Sequence, residues 1–411
     1  MRKRILISAL FFSPYRGSES ACGWEISKRL AAHHDVTVIT GDLCRDQPTF
    51  NDLTQFQAAE GSFPEGMQVE YLAPTAAIHH IHWRHYRIPG MGWLYYWAYN
   101  LWQRQAFKKA KALHEAQPFD LTYQLTLTGF REPGYLWTLP IPFVWGPIGG
   151  NYRVPAAFLP ELGAKEWLAE TARKGFGAWQ SRRSGRPAQA AKAAHTIWAG
   201  TLADLKLTQK WGVDAQCLSE SGCNLTIPAP KSPGNNLRLT WCGQILRKKA
   251  LPLALKALAQ CPNTTLDIIG TGCDETQCQL LCTELGLDDR VTWHGWVDHH
   301  VSKDIIAKND ALIHTSLKEG GNPHVIMEAL SCGVPIICHD TAGMQRNIDA
   351  TCGIKIPLVD PQTSINGFSE AITKLADPTL RGSLSEGAFA RASELTWDKL
   401  ADQILQKIET I

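Results

Sequence analysis

Short apolar runs alternate with helix-like segments along the first half of the chain. Apolar runs of strand length are followed by segments in which apolar residues recur at helical spacing. Strands that alternate with helices predict a parallel sheet with helices on its faces, which is the α/β class. The predicted strands cover residues 4–12, 35–39, 68–72, 120–125 and 143–145, and the predicted helices cover residues 23–32 and 94–116.

The same pattern starts again in the second half. Predicted strands cover residues 237–242, 265–269, 291–294, 311–314 and 336–338, and predicted helices cover residues 251–259 and 274–285. The chain has 411 residues, which exceeds one ordinary core and favours two domains of about 200 residues each. We expect one domain over residues 1–212 and a second over residues 213–395. A last amphipathic helix over residues 396–411 carries leucine and isoleucine on one face.

The charge is small overall but differs between the two halves. The formal net charge is +2. Residues 1–212 hold 24 Lys and Arg against 16 Asp and Glu, a balance of +8, whereas residues 213–411 hold 17 against 23, a balance of −6. A basic first half suits a partner that is anionic on one side. Nucleic acid is disfavoured, because the basic residues are dispersed and form no binding motif.

The cysteines and the N-terminus indicate a cytoplasmic protein. Twelve cysteines are scattered without a C-x-x-C pair, so we expect reduced thiols and no metal site. The apolar run after Met1 lacks a small-x-small cleavage site and is predicted to be a strand. No run reaches the roughly 18 apolar residues of a membrane span. The expected location is the cytoplasm, or the inner face of the cell membrane.

Two carboxylates, Glu319 and Glu328, flank a glycine-rich turn and the start of an apolar helix. In the turn, Gly320 and Gly321 would let backbone N–H groups approach a ligand closely, and Asn322 follows them. The positive end of the helix could face a diphosphate. The two carboxylates would then accept hydroxyl groups of a sugar and a ribose, which predicts a nucleotide-sugar site. The structural alternative is a helix-terminal charge and a surface glutamate.

A basic turn follows the first strand of the second half. Gly243 and Gln244 are followed by Arg247, Lys248 and Lys249. Cations at the carboxyl end of a parallel strand would stabilise a leaving phosphate. The alternative is a solvated basic turn.

The segment 315–343 and the basic turn resemble the donor site of the retaining glycosyltransferase family 4, which has the GT-B fold. That fold consists of two facing Rossmann-like domains, with a C-terminal helix that crosses back to the first. The resemblance implies that Glu319 holds hydroxyls of the transferred sugar, Glu328 the ribose, and Lys248 and Lys249 the diphosphate, with Lys249 and Glu319 as the catalytic pair. Two departures stand out. Eight residues separate the glutamates where the family has seven, and Gln244 replaces an arginine.

Three loops of the first half resemble the acceptor side of the same family. The loop 13–19 carries Gly17, and the loop 145–151 carries Gly149 and Gly150. After the strand at 120–125 many family members place a histidine, whereas this chain offers Gln124 or Thr126. Tight turns without a ligand are the alternative for these loops. The loop 145–151, together with residues 130–135 upstream, also resembles a subgroup that acts in polysaccharide assembly.

The resemblance further implies a reaction with retention of the anomeric configuration. The leaving phosphate would deprotonate the acceptor, so no protein base is required. The chain has no D-x-D triplet, which agrees with a metal-independent reaction. We expect no cofactor, a nucleotide-diphosphate sugar as co-substrate, and a saccharide or lipid-linked saccharide as acceptor.

Residues 78–102 are unusually rich in His, Arg, Trp and Tyr. Such side chains favour a membrane interface or stack on sugars, but they could also line the inner face of a long helix. Further basic residues lie at positions 173, 174, 182, 183 and 186. They motivate the hypothesis that the first domain contacts an anionic membrane.

Two other functions stay open at the level of sequence. One is a GT-B-like nucleotide-sugar epimerase, for which the acceptor-side glycine loops would be superfluous. The other is a catalytically silent protein that binds a nucleotide sugar within a polysaccharide-assembly complex. The replacement at Gln244 and the longer spacing between the glutamates favour the second.

Overall fold

A computed structural model describes residues 2–17, 19–88, 90–163, 167, 168, 171, 175, 182, 185–226 and 236–411. The chain divides into two compact units. Unit 1 comprises Met1–Asn151, Gly177–Ser221 and Trp397–Ile411, and unit 2 comprises Tyr152–Phe176 and Gly222–Thr396. The division differs from a boundary at residue 212, because it falls after Ser221 and assigns the segment Tyr152–Phe176 to unit 2.

Unit 1 is built around a parallel sheet. Its strands are β1 (Arg4–Ala9), β2 (Asp35–Gly41), β3 (Met67–Leu72), β4 (Leu121–Thr126), β5 (Phe143–Ile148), β6 (Thr196–Ala199) and β7 (Gln216–Cys217). They lie in the order β3-β2-β1-β4-β5-β6-β7, and all neighbouring pairs are parallel. The five strands predicted in the first half are confirmed, and the central ones are buried along their whole length, as in sheets covered on both faces.

The helices of unit 1 cover this sheet. They are α1 (Glu19–His33), α2 (Pro48–Glu60), α3 (Ala76–Arg87), α4 (Trp93–Ala116), α5 (Arg186–Ala193) and α6 (Leu202–Trp211), with short 3₁₀ turns such as Leu136–Thr138. The aromatic segment 78–102 therefore forms parts of two helices, α3 and α4, which pack against each other through aromatic rings such as His82 and Tyr95.

Unit 2 repeats the architecture with six parallel strands. They are β8 (Leu237–Cys242), β9 (Thr264–Ile269), β10 (Val291–Gly295), β11 (Ala311–His314), β12 (Ile336–His339) and β13 (Gly353–Ile356), in the order β10-β9-β8-β11-β12-β13. The helices are α7 (Leu251–Ala259), α8 (Glu275–Glu284), α9 (His299–Lys308), α10 (His324–Ser331), α11 (Met344–Asn347), α12 (Pro361–Lys374) and α13 (Pro378–Glu394). Two 3₁₀ turns are Arg247–Lys249 and Asp288–Arg290. The predicted strands of the second half are confirmed.

The last helix, α14 (Trp397–Glu409), belongs to unit 1, which confirms the predicted return of the chain to the first domain. Its apolar face, with Leu400, Ile404 and Ile408, is buried in the core that also contains α1. Lys3 Nζ donates to the Ile408 carbonyl at 2.9 Å and fixes the end of the helix. Across the described ranges, we find no helix with the length and apolar character needed to cross a bilayer.

Candidate active site

The basic turn after β8 and the loop after β11 form one continuous surface, because β8 and β11 are neighbours in the sheet of unit 2. Thr315 Oγ1 donates to the Lys249 carbonyl at 2.8 Å and accepts from Trp241 Nε1 at 3.1 Å. The Leu317 N–H donates to the Lys248 carbonyl at 2.9 Å. These bonds fix the carboxyl-end loops of two adjacent strands to each other, at the edge where parallel sheets bind ligands.

At this edge Glu319 contacts a lysine and a histidine. Lys249 Nζ forms an ion pair with Glu319 Oε1, and His314 Nε2 lies 3.3 Å from the same oxygen. The carboxylate side chain is only 11% exposed. Burial by itself would raise the pKa of Glu319, but His314 and Lys249 outweigh burial and lower it to about 2. Glu319 is therefore an anion at neutral pH, and it is held in place from two sides.

The second carboxylate, Glu328, is also bound. It lies on α10, and its Oε1 is 2.6 Å from Nε2 of His299, the first residue of α9. The Glu328 side chain is 17% exposed, whereas His299 is 73% exposed. The hydrogen bond with Glu328 raises the pKa of His299. Glu328 is therefore partly enclosed, and its partner is an exposed side chain that can rotate away.

The glycine-rich turn between Glu319 and α10 packs against the turn that follows β12. A Cβ atom added to Gly343 would lie 1.1 Å from the Gly321 carbonyl oxygen, so the two backbones are in direct contact. Gly321 and Asn322 are buried. Asn322 Nδ2 lies 2.6 Å from Met327 Sδ, so this amide faces α10, the helix that follows it. Pro323 is the N-cap, and no side chain caps α10, which leaves this helix end suited to an anion.

The predicted phosphate-binding residues share the loop after β8. Gly243 packs closely, because a Cβ atom on Gly270 would lie 2.0 Å from its carbonyl oxygen. Gln244 and Lys248 are exposed, and Lys249 is half-buried. Arg247 Nε lies 3.5 Å from Asp274 Oδ1, so the charge that could replace the missing arginine is paired with a carboxylate.

The predicted acceptor-side glycines lie at the carboxyl ends of two strands of unit 1, β1 and β5, which are separated in the sheet by β4. Gly17 follows β1, and Gly149 and Gly150 follow β5. The Gly149 N–H donates to the Thr128 carbonyl at 2.7 Å and thereby joins the loops after β4 and β5. No atom lies within 4 Å of a Cβ position on Gly17 in the described part of the chain, so a side chain would fit there.

Thr126 and Gln124, predicted at the position of the family histidine, are both buried. Thr126 Oγ1 donates to the Phe11 carbonyl and accepts from the Phe11 N–H, both at 3.1 Å. Gln124 Nε2 donates to the Thr126 carbonyl at 2.9 Å. A role for Thr126 toward an acceptor stays a prediction, and it would act through the loop it supports and not by contact.

A carboxylate that sequence reasoning missed lies beside these loops. Glu19 Oε1 accepts from the Thr128 N–H at 2.8 Å and from Thr128 Oγ1 at 2.7 Å. Burial raises the pKa of Glu19. Nearby, a pocket at the ends of β1 and β2 is lined by polar and aromatic side chains, among them Arg16, Asp42, His82, Tyr86 and Tyr95. Unit 1 therefore contains its own pocket at the carboxyl edge of the sheet, with both polar and apolar side chains in its lining.

Comparison with known proteins shows what the second half is similar to. The family described as "Glycosyl transferases group 1" matches residues 226–390. This segment, less than half of the chain, is called the group 1 domain below. All of the predicted donor residues lie inside this domain, and the resemblance noted from the sequence is thereby confirmed.

One curated relative of the group 1 domain is the lipopolysaccharide 1,6-galactosyltransferase of Escherichia coli (strain K12). It is 35% identical over 119 residues, which make up 28% of this chain and 33% of that protein. The chain thus spans about a third of the length of this relative. The similarity supports a glycosyltransferase ancestry for the matched segment.

Two solved structures share the architecture of the whole chain. Sucrose-phosphate synthase (tll1590) from Thermosynechococcus elongatus has a TM-score of 0.71 at 17% identity and covers 100% of this chain and 99% of its own. HepE of Anabaena in complex with UDP and glucose has a TM-score of 0.61 at 17% identity and covers 100% of both chains. At this identity the similarity shows the fold, and the predicted GT-B class is confirmed.

Within the group 1 domain, sequence reasoning located the acidic and basic groups but missed two histidines. His314 ends β11, and His299 begins α9 after β10. Both lie at carboxyl ends of strands, and that position is the signal by which a search for titratable residues could have found them.

Proposed function

We propose that this protein is a retaining glycosyltransferase for surface polysaccharide biosynthesis. It would move a sugar from a nucleotide-diphosphate sugar to a saccharide or lipid-linked saccharide. The observation that carries this proposal is the pairing of Lys249 with Glu319 at the edge of the sheet, beside the uncapped start of α10. The lipopolysaccharide galactosyltransferase and the UDP complex of HepE support it.

Each group in the donor site would have a separate task. Lys249, Lys248 and the N-terminus of α10 would balance the negative charge of the diphosphate. Glu319 would accept hydrogen bonds from the sugar and Glu328 from the ribose. Because Lys249 already contacts Glu319, the ammonium group lies between the phosphate it would bind and the carboxylate that orients the sugar.

The proposed chemistry breaks the bond between the anomeric carbon and the phosphate oxygen. A new bond forms from that carbon to the acceptor oxygen on the same face, and the acceptor proton passes to the leaving phosphate. Positive charge from Lys249 and the helix end would stabilise the developing charge on the phosphate, so the reaction would not require a metal ion.

Binding and slow hydrolysis of nucleotide sugars test the donor site without an acceptor. We suggest measuring thermal shift and hydrolysis with UDP-glucose, UDP-galactose, GDP-mannose and ADP-glucose, since a ligand that binds the folded state raises its stability. Lys249→Ala and Glu328→Ala should each abolish hydrolysis. Lys308→Ala, at an exposed position near the end of α9, is the matched control and should behave like the wild type. Unaltered hydrolysis in both site variants would reject the assignment.

The same assay separates the alternatives. Binding of a nucleotide sugar without any hydrolysis would favour the silent binding partner, which the exposed Gln244 in the basic turn keeps open. Conversion of the donor into a second nucleotide sugar, with no free nucleoside diphosphate, would favour the epimerase.

Helices α3 (Ala76–Arg87) and α4 (Trp93–Ala116) form a hairpin, called the α3–α4 hairpin. We further infer that unit 1 contacts an anionic membrane through this hairpin. The protein would then work at the cytoplasmic face of the membrane. Large aromatic side chains at the turn of this hairpin are 44–74% exposed, namely Trp83, Tyr86, Trp93, Tyr96 and Trp97. Residues 71–114 contain six Lys and Arg and no Asp or Glu. Aromatic rings beside uncompensated cations fit the interface of an anionic bilayer.

Half of these cations already have partners. Lys109 pairs with Glu70 and Lys111 with Glu115. Arg104 donates to the Tyr135 hydroxyl. Arg84, Arg87 and Lys108 are exposed and form no ion pair with any other described residue. Of the basic residues noted farther along, Arg173, Lys174 and Arg183 lie outside the described residues, whereas Arg186 binds Glu132 at 2.9 Å.

A further inference from the structure

The carboxylate expected to hold the ribose is paired with a histidine. Glu328 Oε1 and His299 Nε2 are 2.6 Å apart; His299 is the first residue of α9, and Glu328 lies in the second turn of α10. A ribose that offers two neighbouring hydroxyls to a carboxylate needs the same oxygen atoms. His299 therefore occupies part of the place that a ribose bound to Glu328 would take.

The difference in exposure shows which partner can move. Glu328 is 17% exposed and anchored on a helix whose neighbouring residues are buried, whereas His299 is 73% exposed. An exposed side chain loses few packing contacts when it changes rotamer. Displacement of His299 by a ligand is thus easy, and its cost is mainly the broken hydrogen bond and the lost charge attraction.

We propose that His299 controls the affinity of the donor site: it covers Glu328 in the absence of a nucleotide sugar and must be displaced by the ribose of the incoming donor. This inference rests on the proposed function, because it assigns the ribose to Glu328. In this view His299 competes with the ribose for Glu328, and this competition sets how tightly the donor binds at a given pH.

The pH dependence follows from the groups around the pair. Hydrogen bonding to Glu328 raises the pKa of His299, whereas Lys303, one turn farther along α9, opposes its charge. Cys242 faces Glu328 from the end of β8, and burial raises its pKa to about 11, so it does not titrate near neutrality. A raised pKa means that the charged pair is fully formed below the ordinary value of 6.5 and is lost as the pH rises through the folded-state pKa. The donor should therefore bind more tightly at alkaline pH.

Calorimetric titration at about pH 6 and about pH 8.5 tests this proposal. The probes are UDP-glucose, UDP-galactose, GDP-mannose and ADP-glucose, whose diphosphates are diesters and do not titrate in this range. The wild type should bind its donor roughly three- to tenfold more tightly at the higher pH. His299→Ala should bind with the same affinity at both pH values, close to that of the wild type at the higher pH.

Two further variants sharpen the test. His299→Gln keeps a hydrogen-bond donor that does not titrate, so its affinity should be intermediate and independent of pH. His300→Ala changes an exposed histidine next in sequence and should keep the full pH dependence of the wild type. A merely structural His299 would lower the thermal stability of His299→Ala without changing the ratio of the two affinities.

The outcomes separate this inference from the proposed function. If no nucleotide sugar binds to the wild type at either pH, the proposed function fails. If a nucleotide sugar binds but His299→Ala keeps the wild-type ratio, or binds more weakly than the wild type at both pH values, the role of His299 is rejected while the donor site remains.

Discussion

At the scale of single residues, Glu319 is the most constrained group of the donor site. Its carboxylate is almost buried, yet its pKa is lowered to about 2, because His314 and Lys249 both lie against it. A buried anion held by a lysine and a histidine is stabilising only while it is ionised. The charge of Glu319 is therefore linked to the stability of unit 2 as well as to the proposed chemistry.

The pH dependence of unfolding should reveal this linkage. The pKa of Glu319 is about 2 in the folded protein against an ordinary value of 4.5, so its contribution is complete above pH 4.5 and is lost as the pH falls toward 2. Glu319→Gln should lower the free energy of unfolding at neutral pH by roughly 2 kcal/mol and lose less stability than the wild type on acidification. Urea unfolding at several pH values measures both effects.

A surface pair provides the control for this experiment. Glu394 contacts Arg391 on α13, but its side chain is 63% exposed. Glu394→Gln should change the free energy of unfolding by less than about 1 kcal/mol at any of these pH values. Equal effects in the two variants would show that the cluster around Glu319 contributes no more than an ordinary surface charge.

The sequence located the acidic and basic groups of the site but not their partners. The positions of Glu319, Glu328 and Lys249 relative to nearby glycines were sufficient to predict a nucleotide-sugar site. Their positions at strand ends mark His314 and His299 as candidates but do not identify their partners. The contact of His299 with Glu328, for example, joins residues 29 positions apart. That contact depends on how α9 and α10 pack against the sheet, and no local pattern encodes it.

At the scale of elements, the α3–α4 hairpin shows what a pattern of residue types can and cannot indicate. The density of His, Trp and Tyr was compatible with buried packing or with an exposed surface. Both occur, since His82 and Tyr99 are buried whereas Tyr86 and Trp93 are exposed. Strand β7 was not predicted, because its two residues are too few to show alternation.

Vesicle binding tests the hairpin as a membrane contact. Vesicles of phosphatidylcholine with about one-third phosphatidylglycerol should bind the wild type, whereas pure phosphatidylcholine should not, and added salt should weaken binding. The double variant Arg84→Glu and Arg87→Glu should reduce the binding constant by about tenfold or more, since each cation contributes on the order of 1 kcal/mol. Trp93→Ser with Trp97→Ser should weaken the remaining, salt-resistant part.

The control is an equal change of charge elsewhere on unit 1. Lys28 on α1 and Lys206 on α6 are both exposed and lie outside the hairpin. The double variant Lys28→Glu and Lys206→Glu should bind vesicles much as the wild type does. If it loses binding to the same extent as the hairpin variant, the attraction depends on net charge and not on this surface.

At the scale of the whole molecule, the chain carries opposite net charges on its two halves and one GT-B fold. The fold was predictable, because the alternation of strand and helix starts twice along the chain. The division into units was harder to predict, since the segment Tyr152–Phe176 belongs with unit 2 although it follows β5 of unit 1. Its apolar side chains, including Phe158, pack with Ala250, Leu253 and Leu317, a long-range contact that has no local signature.

The proposed mechanism, which needs no metal ion and retains the anomeric configuration, gives two predictions for the activity of the protein. If the proposed function holds, hydrolysis or transfer should continue in the presence of EDTA, because Lys249 and the start of α10 would supply the positive charge. The sugar released from an α-linked donor should first appear as the α-anomer, which proton NMR detects before mutarotation. Loss of activity in EDTA with recovery on adding Mg²⁺ or Mn²⁺ would contradict the first expectation, and an initial β-anomer the second.

The contact between Gly343 and Gly321 has a practical meaning for the redesign of this protein. Two main chains touch there. The position of the segment that carries Glu319 is therefore set by its contact with the turn after β12, and not by the length of chain that leads into α10. An insertion just before the helix can then be absorbed locally. The extra residue between Glu319 and Glu328 thus becomes a tolerated length variation, and loop grafts from relatives with the shorter spacing should fit provided that both glycines are kept.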